Sequence, residues 1–169
     1  MSADALDPRR VDQVRTVVAR LEALVAPLGG QVTDEGEDLR QGVASHRWTI
    51  HPPRAGLPTT EINAYPDSCA VAVNTPDAPY VEARYDADDD SPFEVNPNSQ
   101  LTWIEAMVRA AVDGGWSYQR DYAADGALVA TRTEIDADGW CVSLHRRYLS
   151  QVEVTHVEHH PIPGWSATI

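Results

Sequence analysis

The hydrophobic period of this chain switches from helical to strand-like spacing twice, and a glycine pair stands at each switch. Val11, Val14, Val18, Leu21, Val25 and Leu28 recur at three- and four-residue spacing behind Asp7-Pro8, a capping residue followed by proline at the first helical position. This spacing predicts an amphipathic helix over 8–28, and Gly29-Gly30 supplies the positive φ that ends it. Leu101, Ile104, Met107, Val108, Ala111 and Val112 form a second stripe after the turn Asn96-Pro97-Asn98-Ser99, with Glu105 and Arg109 placed to support it at i,i+4. Gly114-Gly115 closes that helix as the first pair closes the first.

Between and beyond the helices the period is two. Runs at Val43 to Ile50, Thr59 to Ala64, Cys69 to Asn74 and Tyr80 to Asp86 are separated by Glu35-Gly36, Pro52-Pro53, Pro66-Asp67 and Pro76-Asp77, read as turns. After the second helix come Trp116 to Tyr122, Leu128 to Ile135, Trp140 to Leu149 and Val152 to His160, with Asp125-Gly126 and Asp138-Gly139 as hairpin signals. The pattern predicts an α+β fold, two amphipathic helices packed on antiparallel meander sheets, in one domain over 1–169. An offset of 85 residues superposes the two glycine pairs, and with them Arg47 on Arg132 and Ile50 on Ile135. Two similar helix-plus-strands halves, 8–95 and 98–165, are therefore one reading of the chain.

A chain of 169 residues is long enough to bury a core without a metal or disulfide. Cys69 and Cys141 each lie in an apolar run, which predicts reduced, buried thiols, and no C-x-x-C motif is present. No run approaches the roughly 20 apolar residues of a membrane span. The first residues lack the basic and apolar regions of a secretion signal, so a cytoplasmic location is expected. The 26 acidic residues outnumber 13 basic ones, all arginine, for a formal net charge of −13. Such a field repels phosphate backbones and anionic lipid, which speaks against nucleic-acid and membrane partners and for a basic or apolar protein partner.

Four constellations could carry function. In Thr155 to Pro161 a strand would place His156, Glu158 and His160 on one face and His159 on the other, a set able to bind Zn²⁺ or non-haem iron; the plain alternative is the wet end of a sheet that begins with Val152 and Val154. Asp86, Asp88, Asp89 and Asp90 form the densest acidic cluster; it lacks the glycine and glutamate of a calcium loop and is read as a solvated turn that can attract a basic partner. Trp140, Val142, Leu144, Arg146 and Tyr148 alternate with Cys141, Ser143, His145, Arg147 and Leu149, so this strand either pairs its arginines structurally or offers them to a carboxylate or phosphate. Trp116, Tyr118 and Tyr122 would share a strand face with Arg120, and aromatic residues with a polar handle are enriched at binding surfaces.

No G-x-S-x-G elbow, P-loop or dinucleotide-binding glycine motif is present. The sequence therefore favours a non-catalytic protein-binding role, of the kind an immunity-type inhibitor or a dedicated chaperone performs, through Asp86, Asp88, Asp89, Asp90, Trp116 and Tyr118, with no cofactor. The rival reading is a small metal-dependent enzyme or ligand-binding protein built on His156, Glu158 and His160.

Overall fold

A computed structural model describes residues 5–40, 43–76, 78–86, 97–137 and 140–166. Helix α1 (Pro8–Val25) begins where the sequence places its cap: the Asp7 carboxylate accepts from the Arg9 amide at 2.9 Å. A 3-10 turn, Ala26–Leu28, tightens its end, and Gly29 follows in the left-handed region at φ 84°. Strands β1 (Gln31–Arg40), β2 (Val43–His51), β3 (Thr59–Ala64), β4 (Ser68–Thr75) and β5 (Ala78–Asp86) then form one antiparallel sheet in sequence order. Helix α2 (Pro97–Asp113) ends at Gly114, φ 85°, and leads to β6 (Trp116–Tyr122), β7 (Leu128–Ala137), β8 (Trp140–Arg147) and β9 (His156–Pro161). The second sheet runs β8-β7-β6-β9.

Two sequence expectations change. Glu35-Gly36 is not a turn between strands but a bulge inside β1: the register against β2 slips between Asp34 and Gly36, Gly36 takes φ 79°, and its amide donates to the Asp34 carboxylate at 2.9 Å. A glycine that supplies positive φ can serve a bulge as well as a turn. The last strand starts at His156 rather than Val152, because Arg147 donates to the carbonyls of Leu149 and Val152 and holds that stretch off the sheet.

Trp48 and Ile50 of β2, Ile62 of β3, Val71 and Val73 of β4 and Val81 and Ala83 of β5 are buried and belong to the core shared with the helices. Helix α1 packs on β1, β2 and β3, and α2 lies against α1, β3, β4 and β7, so α2 joins the two sheets through one continuous core. Trp165 completes that core from the far end of the chain: its indole donates to the Pro58 carbonyl at 3.1 Å, its amide donates to the Val112 carbonyl at 2.7 Å, and its ring lies against Gly30, where a methyl group would stand 2.5 Å from it. Cys69 is buried, whereas the side chain of Cys141 lies outside the described residues. No helix among the described residues is long and apolar enough to cross a membrane.

Candidate functional site

The period of two in β6 puts Trp116, Tyr118, Arg120 and Tyr122 on one face, as the alternation requires. What differs along that face is depth. Trp116 is 1% exposed, with its indole donating to the Met107 carbonyl of α2, so it is core. Tyr118 sits at the margin of the core, and Arg120 and Tyr122 emerge beyond it. The register carries the face across three more strands: Arg120 lies opposite Thr131 on β7 and Glu158 on β9, and Thr131 lies opposite Arg146 on β8.

Beyond the core margin this face opens into a groove of about 730 Å³. One wall is sheet two, with Tyr118, Arg120, Tyr122, Thr131, Arg146 and Tyr148; the other is β5, with Tyr80, Val81 and Glu82. Consecutive side chains of a strand point to opposite faces. A cavity touched by the unbroken run Ser143, Leu144, His145 and Arg146, and by Tyr80, Val81 and Glu82, therefore touches the edges of β8 and β5. Both are terminal strands of their sheets. The groove runs over the face of sheet two and reaches the edges of β8 and β5, strands that come from opposite halves of the chain.

Its electrostatics are unusual for a chain with twice as many acids as bases. Arg15, Arg20, Arg47 and Arg109 each have a carboxylate within 3.2 Å, and Arg132 has Glu134 at 3.9 Å. Among the described residues, Arg120 and Arg146 have no carboxylate within ion-pair distance. Each instead lies over a tyrosine ring, Arg120 at 5.4 Å from Tyr118 and Arg146 at 5.3 Å from Tyr148. The Tyr118 hydroxyl, and then that of Tyr122, hold the Arg120 guanidinium in its charged form, above the usual arginine range. Glu82, on the opposite wall, accepts from the Tyr80 hydroxyl at 3.2 Å. Burial, and then the charge of Glu82, push the Tyr80 phenol up, so it stays a neutral donor.

The C-terminal trio sits at the side of this groove. His156, Glu158 and His160 share the face of Tyr122, Arg120 and Tyr118, and His159 faces away, as expected from the alternation. Val152 and Val154 precede the strand and take no part in that face. Glu158 accepts from the Tyr122 hydroxyl at 3.2 Å and lies 3.4 Å from His160 Nε2 and 3.6 Å from His156 Nε2. His160 leads these contacts in holding the Glu158 carboxyl below its ordinary range. Glu158 is thus engaged by three neighbours, and no ion pair joins it to Arg120 beside it. Among the described residues no group of three His, Cys, Asp or Glu is arranged to hold a metal ion.

Of the acidic cluster, Asp88, Asp89 and Asp90 lie outside the described residues, and Asp86 closes β5. Among the described residues the aromatic side chains divide by type. Trp48, Trp103, Trp116 and Trp165 are core, while four of the six tyrosines line the groove. Sequence reasoning finds Tyr118, Arg120, Tyr122 and Arg146 from alternation but misses Tyr80 and Glu82, whose strand carries no local sign that it will face β8. No protein-family model, curated protein or solved structure matches this chain.

Proposed function

We propose that this protein is a non-catalytic binding protein that holds part of another protein in the groove between β5 and the face of sheet two. The observation that carries the reading is the concentration of Tyr80, Tyr118, Tyr122 and Tyr148 with two arginines around one open cavity, while Trp48, Trp103, Trp116 and Trp165 are core. Tyrosine joins a large apolar area to a hydroxyl at little conformational cost, which suits it to a binding surface. An immunity-type inhibitor or a dedicated chaperone would use such a groove. The net charge of −13 adds long-range steering toward a partner that is basic elsewhere on its surface.

Tyr80 and Tyr148 are about half exposed, so both can be truncated without opening the core. In a stoichiometric complex with the partner, Tyr80→Ala and Tyr148→Ala should each weaken binding at least about tenfold, the behaviour of interface anchors, with unchanged thermal unfolding. His156→Ala and His160→Ala should leave affinity within about twofold, since those side chains lie outside the groove lining. Wild-type affinity in both tyrosine variants, measured by titration calorimetry, would exclude the groove as the binding site.

A further inference from the structure

The side chains that line the groove fall into rows across the face of sheet two, and the order of the rows selects an occupant. We infer that the partner segment held there lies across that face and places one internal aspartate or glutamate carboxylate over Thr131, between the guanidiniums of Arg120 and Arg146. This rests on the groove being the binding site and goes further by naming the chemistry of what enters it.

The rows follow from strand register. Residues directly opposite on paired strands share a face and stand about 5 Å apart, and successive rows on that face are about 7 Å apart. Tyr118, Thr133 and Leu144 make the innermost row, at the margin of the core. Arg120, Thr131 and Arg146 make the next, and the rings of Tyr122 and Tyr148 stand at the rim. All of these side chains border the same cavity. The groove is therefore cationic in its middle, with aromatic area on both sides.

Arg120 and Arg146 are the arginines among the lining residues, on strands that flank β7. Two strand spacings, roughly 10 Å, separate their backbones, so each guanidinium can reach a point over Thr131 from its own side. A carboxylate at that point would accept a charge-assisted hydrogen bond from each. The arginines are positioned in advance: Arg120 lies over the Tyr118 ring and Arg146 over the Tyr148 ring, and the Tyr148 hydroxyl stands 3.5 Å from that of Thr131. Two acids bound the row. Glu158 continues it beyond Arg120 on β9, and Glu82 stands on the facing wall. An incoming acid is opposed toward β9 and toward β5 and favoured over β7. The tyrosines on either side of that point offer apolar area to the neighbours of the acid.

The test is selection of a phage-displayed library of random peptides on the purified full-length chain, the peptides fused through their C-termini so that no terminal carboxylate is presented. The expected result is enrichment of one Asp or Glu with an apolar residue within two positions of it. A synthetic enriched peptide, amidated at its C-terminus, should bind at least about tenfold more weakly to Arg120→Gln and to Arg146→Gln. It should lose as much when its own acid is replaced by the amide. Its affinity for Arg132→Gln should be unchanged, because Arg132 stands opposite Gln119 and His145 on the other face of the sheet. Arg146 is exposed, so Arg146→Gln leaves the fold intact and keeps the result readable. No enrichment, enrichment without an acidic position, unchanged affinity in Arg120→Gln and Arg146→Gln, or an equal loss in Arg132→Gln would overturn the inference. Peptides that lose affinity in Tyr80→Ala and Tyr148→Ala but not in Arg120→Gln and Arg146→Gln would overturn it while leaving the groove as the binding site. Peptides indifferent to both sets would overturn both.

Discussion

The two halves of this molecule begin alike and end differently. Each has a helix, a left-handed glycine, and a hairpin, and the helices meet through Arg20 and Glu105, residues 85 apart in the chain. In the first half the chain keeps moving outward from β1 to β5. In the second it stops after β8, and β9 returns to the opposite side of β6. Had β9 continued beside β8, it would have covered the edge that borders the groove. The difference teaches that a sheet edge can be left open by where the final strand goes, with little change in the elements themselves.

What draws β9 back is the C-terminal anchor. The Thr155 amide donates to the Tyr122 carbonyl, Ile162 to Trp116, and Trp165 to Val112, so the segment is fastened at both ends of the strand. Trp165 is 5% exposed and belongs to the shared core. Truncating it should produce the largest effect of any change proposed: Trp165→Ala is expected to cost about 3–5 kcal/mol in urea unfolding, the range for emptying a buried aromatic site. A loss of only about 1 kcal/mol would mean that β9 is held chiefly by its own ladder with β6.

The glycines that end the two helices sharpen the comparison at a smaller scale. Gly29 and Gly114 both need a positive φ, which costs any L side chain about 1–2 kcal/mol. A methyl at Gly29 would stand 3.1 Å from Pro53 Cβ, whereas one at Gly114 would stand 2.9 Å from the Gly164 backbone nitrogen in the C-terminal anchor. Gly114→Ala should therefore destabilise more than Gly29→Ala, and equal midpoint shifts in denaturant would argue against the anchor as a rigid element.

The smallest effect belongs to the contact that relates the helices. Glu105 pairs with Arg109 at 2.9 Å and with Arg20 at 3.2 Å, on partly exposed side chains. Glu105→Gln should cost less than about 1 kcal/mol, less still at high salt. Arg109 holds the Glu105 carboxyl below its ordinary 4.5, against a smaller upward push from burial and with help from Arg20. A carboxyl whose folded pKa is depressed stabilises the fold above its unfolded pKa and loses that contribution as pH falls through the folded one. The difference between wild type and Glu105→Gln should accordingly be full above pH 4.5 and shrink below it. A difference that grew on acidification would contradict the pairing.

Much of the fold was legible because it is local. Capping at Asp7, apolar spacing in both helices and the glycines after them are short-range demands of the backbone, and each is met where the sequence places it. Alternation likewise determined that Tyr118, Arg120 and Tyr122 share a face, and that His156, Glu158 and His160 share another row of it. Tertiary structure alone decided the rest. A period of two says which side chains lie together on a strand, but nothing about which strand is its neighbour. Hence Trp116 and Tyr122, on one strand face, part company, the first under α2 and the second at the groove. Hence also Tyr80 lines one groove with Arg146, 66 residues away, beside a β8 edge left open because β9 pairs with β6. Pairing between distant strands is set by the closing of a common core around α2, a long-range condition that no window of the sequence contains.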